Sequence, residues 1–155
     1  MIQRIQSIFL LVSVILIGVC LCSPLGTYVG TDSLVHGTLS NTWLFDADYK
    51  ECYIYSFALF VLLLLAGVVS ILALFGYENR LRQMRWTMLS CALLVLYYLS
   101  FVGFAVYYAK TRYAGAHFQI AFYACFPILS FILNLLAYWR IRHDEQLVRA
   151  ADRIR

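Results

Sequence analysis

The chain is 155 residues long, 63% apolar and only 13% charged, with a mean hydropathy of +0.79. Soluble domains carry roughly 25% charged residues, and one of this size has no interior large enough to hide so much apolar surface. The net charge of +4 does not point to nucleic acid, because the basic residues sit at the ends of hydrophobic runs, as topology signals do.

The first apolar run, from about Ile2 to Cys22, carries Arg4 as its only charge. A basic start ahead of an apolar core also fits a secretory signal. No small-x-small cleavage site follows Cys22, however, and Val19 before Cys20 and Leu21 before Cys22 do not fit a lipoprotein cysteine. At ~20 residues the run is long enough to cross a bilayer, so residues 2–22 are read as an uncleaved span. Residues 23–53 form the longest polar stretch, an outer loop. Pro24 and Gly26 stop the helix, Gly30 and Gly37 mark turns, and alternation in TYVG and SLVHGTL predicts a small β-hairpin turning at Gly30 to Asp32. Trp43, Phe45, Tyr49, Tyr53 and Tyr55 supply an aromatic skirt suited to lipid headgroups.

Three further apolar runs cover residues 54–76, 86–108 and 118–139. The short connection YENRLRQMRW carries Arg80, Arg82 and Arg85, and AKTRYAGAH carries Lys110 and Arg112. With both termini on one side, that side holds Arg4, Arg80, Arg82, Arg85, Arg140, Arg142, Arg149, Arg153 and Arg155, nine of the 12 basic residues. Such a bias predicts N-in, C-in topology. The expected fold is therefore an all-α membrane protein: one integral domain, a four-helix transmembrane bundle with a small extracytoplasmic loop. A short cytoplasmic C-terminal helix follows over residues 140–155. On it Ile141, Leu147, Val148, Ala151 and Ile154 share one side, interrupted by Asp144, with Arg142, Arg149 and Arg153 opposite. Its apolar side lies on the inner leaflet, with Arg140 and Arg155 toward anionic lipid, or it docks on another protein and presents the arginines, or the segment is simply a charged end that sets topology.

Spans in lipid associate through small residues and a few polar side chains. Ala66, Gly67, Ser70 and Ala73 form a small-residue stripe. Counting ~1.5 Å per residue from the inner boundary puts Ser70, Ser90 and Asn134 at one depth, and Ser13, Tyr97 and Ser130 in a second layer nearer mid-bilayer. These six are read as packing contacts that satisfy one another, since none ionises near neutral pH. No Asp, Glu, Lys, Arg or His lies mid-span, and no pair of broken helices stands out, which argues against pumps, channels and carriers. Pro127 is expected to kink the fourth span and open a groove beside it.

Candidate chemistry is sparse. Cys20, Cys22 and Cys52 fall near the outer boundary, where a disulfide or thiol exchange is sterically conceivable, but CxC plus one partner lacks the CxxC and relay pair of membrane thiol oxidoreductases. Cys91 and Cys125 lie inside spans as packing residues. A metal site would need His36, His117 and Asp46 or Asp48 from different loops. Nucleophile–base pairs and phosphate loops are absent, and no cofactor is expected.

The opening MIQRIQSIFLL, the loop YENRLRQMR, and above all FPILSFILNLLAYWRIRHDEQLVRAADRIR resemble a family of small four-span bacterial proteins catalogued as domain-of-unknown-function family 4293. The resemblance covers nearly the whole chain. His143 departs from the lysine of the family pattern. The resemblance implies an inner-membrane protein of Gram-negative bacteria and no particular activity. The function expected is a non-enzymatic accessory or scaffold subunit. It would bind a membrane-protein partner or a second copy, with membrane lipids around it, through Arg80, Arg82 and Arg85 and through Arg142, Arg149 and Arg153. The alternatives are an outer-face thiol-disulfide oxidoreductase and a lipid- or small-molecule-binding membrane protein.

Overall fold

The computed structural model describes residues 3–30, 34–46, 51–53, 56–76, 79–111, 113 and 115–152, without the side chains of 3–5, 51–53 and 148–152. The described residues form four helices, α1 (Gln3–Leu21), α2 (Phe57–Phe75), α3 (Arg80–Thr111) and α4 (Phe126–Asp152), with four strands between α1 and α2 and a fifth between α3 and α4. These are β1 (Pro24–Val29), β2 (Val35–Ser40), β3 (Leu44–Asp46), β4 (Glu51–Tyr53) and β5 (His117–Ile120). Three helical stretches, Phe57–Phe75, Arg80–Thr111 and Phe122–Leu147, are long and apolar enough to cross a membrane, and Gln6–Leu21 is a shorter apolar helix. That is the mark of a membrane protein.

α1 packs on α2 and α4, α2 on α3, and α3 on α4. The small-residue stripe of α2 is the buried face: Ala66, Gly67, Ser70 and Ala73 all point inward. A Cβ on Gly67 would sit 3.2 Å from Ile17 Cγ2, so glycine sets how closely α1 approaches. The opposite faces carry large apolar side chains with nothing over them, such as Leu99 at 67% and Ile15 at 55% exposure. Water would not tolerate so continuous a surface, whereas lipid tails do.

Three boundaries differ from the sequence expectation. α3 begins at Arg80, so most of the basic connection is helical and only residues 76–79 link it to α2. The predicted fourth span starts too early: His117–Ile120 is a strand and Phe122–Cys125 a single 3-10 turn. Pro127 therefore occupies the first turn of α4, where its fixed φ suits the geometry and its missing N–H has no helical partner to lose. It starts the helix and does not kink it; the Phe126 N–H bonds the Tyr123 carbonyl. Third, the C-terminal segment is no separate helix, because α4 runs unbroken to Asp152.

All five strands gather at one end of the helices in one antiparallel sheet, ordered β4-β3-β2-β1-β5. The chain is thus not all-α, and the hairpin of β1 and β2 (Gly26↔Leu39, Tyr28↔Gly37) is part of a larger structure. β5, from the connection between α3 and α4, pairs with β1 through Tyr28↔Phe118 and Thr27↔Gln119. Gly26 is needed where β1 meets β5: a Cβ there would lie 2.7 Å from the Gln119 carbonyl oxygen.

Two side chains fasten this sheet to the helices. Tyr28, fully buried, stacks on Tyr113 (ring centroids 4.6 Å apart) and donates its hydroxyl to the Ala105 carbonyl of α3 at 3.1 Å. Asn41 sits in a tight turn closed by Ser40, whose N–H (3.0 Å) and hydroxyl (2.8 Å) both donate to the Trp43 carbonyl. From that turn Asn41 Nδ2 donates to the Cys20 carbonyl at 2.7 Å, satisfying a terminal acceptor of α1. Its Oδ1 accepts the Tyr97 hydroxyl of α3 at 3.0 Å.

Replacing Asn41 with Leu strands the Tyr97 hydroxyl and weakens the cap on Cys20. We expect a loss of about 2 kcal/mol, seen as roughly 4–8 °C in a circular-dichroism melt in mild detergent. Burial pushes the Tyr28 phenol well above its ordinary range, with Tyr113 and Tyr108 adding to the shift. The unfolded chain then releases that proton first, so stability is fully present below pH ~10 and falls as pH rises through it. A Tyr28→Phe variant should show a shallower loss between pH 9 and pH 11 in the same melts.

Candidate functional site

At the end opposite the sheet, Arg80, Arg82 and Arg85 occupy the first turns of α3, and Arg140 and Arg142 follow the apolar part of α4. The antiparallel course of the two helices brings both groups to one surface. Asp144, which interrupts the apolar side of the C-terminal segment, is half-buried and holds that surface together. The Gln6 side-chain amide of α1 donates to its carboxylate, and Arg80 Nη1 donates to its backbone carbonyl at 3.3 Å. Arg80 is therefore a tie between α3 and α4, while Arg82, Arg85, Arg140 and Arg142 are exposed. Ile141 is buried at 1% exposure and Leu147 is 54% exposed, so the apolar side of the segment is only partly covered. The side chains of Arg149 and Arg153 lie outside the described residues.

Between the helices, Ser70, Ser90 and Asn134 are fully buried and in contact. The Ser70 and Ser90 hydroxyls are 2.7 Å apart, and Asn134 Nδ2 donates to both, at 3.3 Å and 3.0 Å. Ser90 also donates to the Ala66 carbonyl at 3.2 Å. Asn134 Oδ1 has no partner among the described residues. Ser13 and Ser130 form a second contact, each hydroxyl donating to the other's carbonyl at 3.4 Å and 3.1 Å. Tyr97 is not with them. It belongs to a third layer beneath the sheet with Asn41, which polar-loop composition had concealed, and Asn41 in turn holds the Cys20 carbonyl.

Cys20 and Cys22 are free thiols, the first buried and the second exposed. The Cys52 side chain lies outside the described residues; its backbone is on β4, at the far edge of the sheet from β5. Cys91 is buried and Cys125 exposed. No group of three His, Cys, Asp or Glu side chains among the described residues is placed to hold a metal ion. Near Pro127 an apolar cavity of about 250 Å³ opens between α3 and α4, lined by Leu94, Leu99, Val102, Ile128 and Phe131. The Tyr98 hydroxyl beside it is committed to the Ala124 carbonyl at 2.6 Å.

The serine–asparagine contact can join helices but offers no ionisable group. Asn134→Leu leaves Ser70 and Ser90 bonded to each other, so unfolding in detergent should lose only about 0.6–2 kcal/mol. Asn134→Asp buries a carboxylate and should lose clearly more. Equal losses would contradict the packing role.

A search of curated proteins finds no match. The model of the family described as "Domain of unknown function (DUF4293)" matches residues 2–154. That span is almost the entire chain, and it includes the basic loop and the C-terminal segment that carry the sequence resemblance. The protein is a member of the DUF4293 family.

Proposed function

We propose that the chain is a non-enzymatic accessory or scaffold subunit of the bacterial inner membrane, a four-span bundle with both termini in the cytoplasm. It docks an acidic surface of a membrane-protein partner. The observation that carries this reading is the arginine-bearing end. Arg82, Arg140 and Arg142 are exposed there on a base made rigid by Gln6, Asp144 and Arg80. Long cationic side chains on a fixed frame give specificity and fast encounter with acidic surfaces. The interior supports the same reading from the other side, because Ser70, Ser90, Asn134, Ser13 and Ser130 bond to one another. The cytoplasmic placement rests on the charge bias of the sequence, which assigns nine of the 12 basic residues to the side of the two termini.

The test combines crosslinking in intact cells with mass spectrometry. Arg82→Gln with Arg142→Gln should lower recovery of the crosslinked partner at least tenfold while membrane insertion is unchanged. A tag after Arg155 should be accessible only from the cytoplasm. Unchanged partner recovery would remove the docking role, and a tag reached from outside would reverse the orientation.

A further inference from the structure

The groove between α3 and α4 holds two cavities on one line. The larger, about 460 Å³, lies at the arginine end and is lined by Leu81, Met84, Arg85, Met88, Leu89 and Tyr138. The second, near the sheet end, is almost wholly apolar. On α3, Leu81, Met88, Val95 and Val102 recur every seven residues, so both cavities open on the same side of the helix. On α4, Phe131 and Tyr138 have the same spacing.

Charge is confined to the mouth of this groove, and the Tyr98 hydroxyl beside the second cavity is already bonded to the Ala124 carbonyl. Arg85 contributes a guanidinium and Tyr138 a hydroxyl; every other lining residue in the larger cavity is apolar. From Arg85 to Val95 the helix rises ~15 Å, which is one leaflet of a ~30 Å hydrocarbon core. A cation and a phenol at one end, with apolar cavities following along the same side of α3, match an amphiphile with a negative head. We propose that the α3–α4 groove binds one anionic phospholipid, its phosphate held by Arg85 and Tyr138 and one acyl chain running past Met88 and Leu89 to Leu94 and Val95. Arg85 thus has a different task from Arg82 and Arg142, whose side chains do not line the groove. The site rests on the proposed orientation only for which leaflet supplies the lipid.

Native mass spectrometry of the purified chain in mild detergent tests it, with synthetic phosphatidylglycerol and phosphatidylcholine of equal chain length as probes. The wild-type chain should retain one phosphatidylglycerol in preference to phosphatidylcholine. Arg85→Gln should lower that preference about fivefold, the effect of one cation near an anionic surface. Val95→Trp, which fills the trough and leaves the arginine, should lower retention of both lipids. Equal retention of the two lipids by the wild type would overturn the proposal, as would Arg85→Gln behaving like wild type. A lipid-free dimer whose contacts map to Val95 would overturn it too, since a second copy would then be the occupant. Retention in detergent does not depend on topology, so an inverted orientation would leave this result intact while removing the cytoplasmic docking role.

Discussion

Hydrocarbon supplies no hydrogen-bond partner, and nearly every polar contact between these helices follows from that deprivation. Serines that would be solvated in water must face another helix here. Ser70, Ser90 and Asn134 bring α2, α3 and α4 to one point, and Ser13 with Ser130 joins α1 to α4 by a reciprocal pair of bonds. Because both kinds of apolar surface, lipid and protein, look alike to a leucine, these few contacts and the small residues of α2 decide which faces meet. Leu63 and Leu65 could trade places by hydropathy alone; neighbours such as Ala66 and Ser70 make one inward and the other outward.

At both ends the same deprivation is met differently. Beneath the sheet, Asn41 closes the end of α1 and anchors Tyr97, so a loop residue completes the hydrogen bonding of two helices. At the arginine end, Asp144 is tied to α1 and α3 and brings the C-terminal segment into the helical body. The exposed guanidinium groups stand on that fixed frame. Their surroundings differ: Arg85 lines a groove, while Arg82 and Arg142 stand on open surface.

How much of this was legible in the sequence varies by signal. The helices were, because runs of about 20 apolar residues have few other uses. The level of Ser70, Ser90 and Asn134 was also readable, since a regular rise per residue turns sequence distance into depth. β5 was not. HFQI is embedded in a longer apolar stretch, and four such residues read equally well as the start of a helix. Only pairing with β1, about 90 residues earlier, makes them a strand. Pro127 was misplaced for the same reason: with the helix start set too early, a first-turn proline looked internal. Tyr97 was assigned to the wrong layer because its partner, Asn41, belongs to a loop whose composition carries no sign that it reaches downward.

The pairing of β5 with β1 has a consequence for biogenesis. A ribosome delivers the first hairpin long before residues 117–120 exist, and α2 and α3 must both be made before β5 can reach its neighbour. Until then the open flank of β1 has no strand beside it, and the sheet is completed only by the segment that follows the third helix. A chain halted after its third helix would carry that unsealed margin, an exposed strand edge of the kind that pairs with other chains.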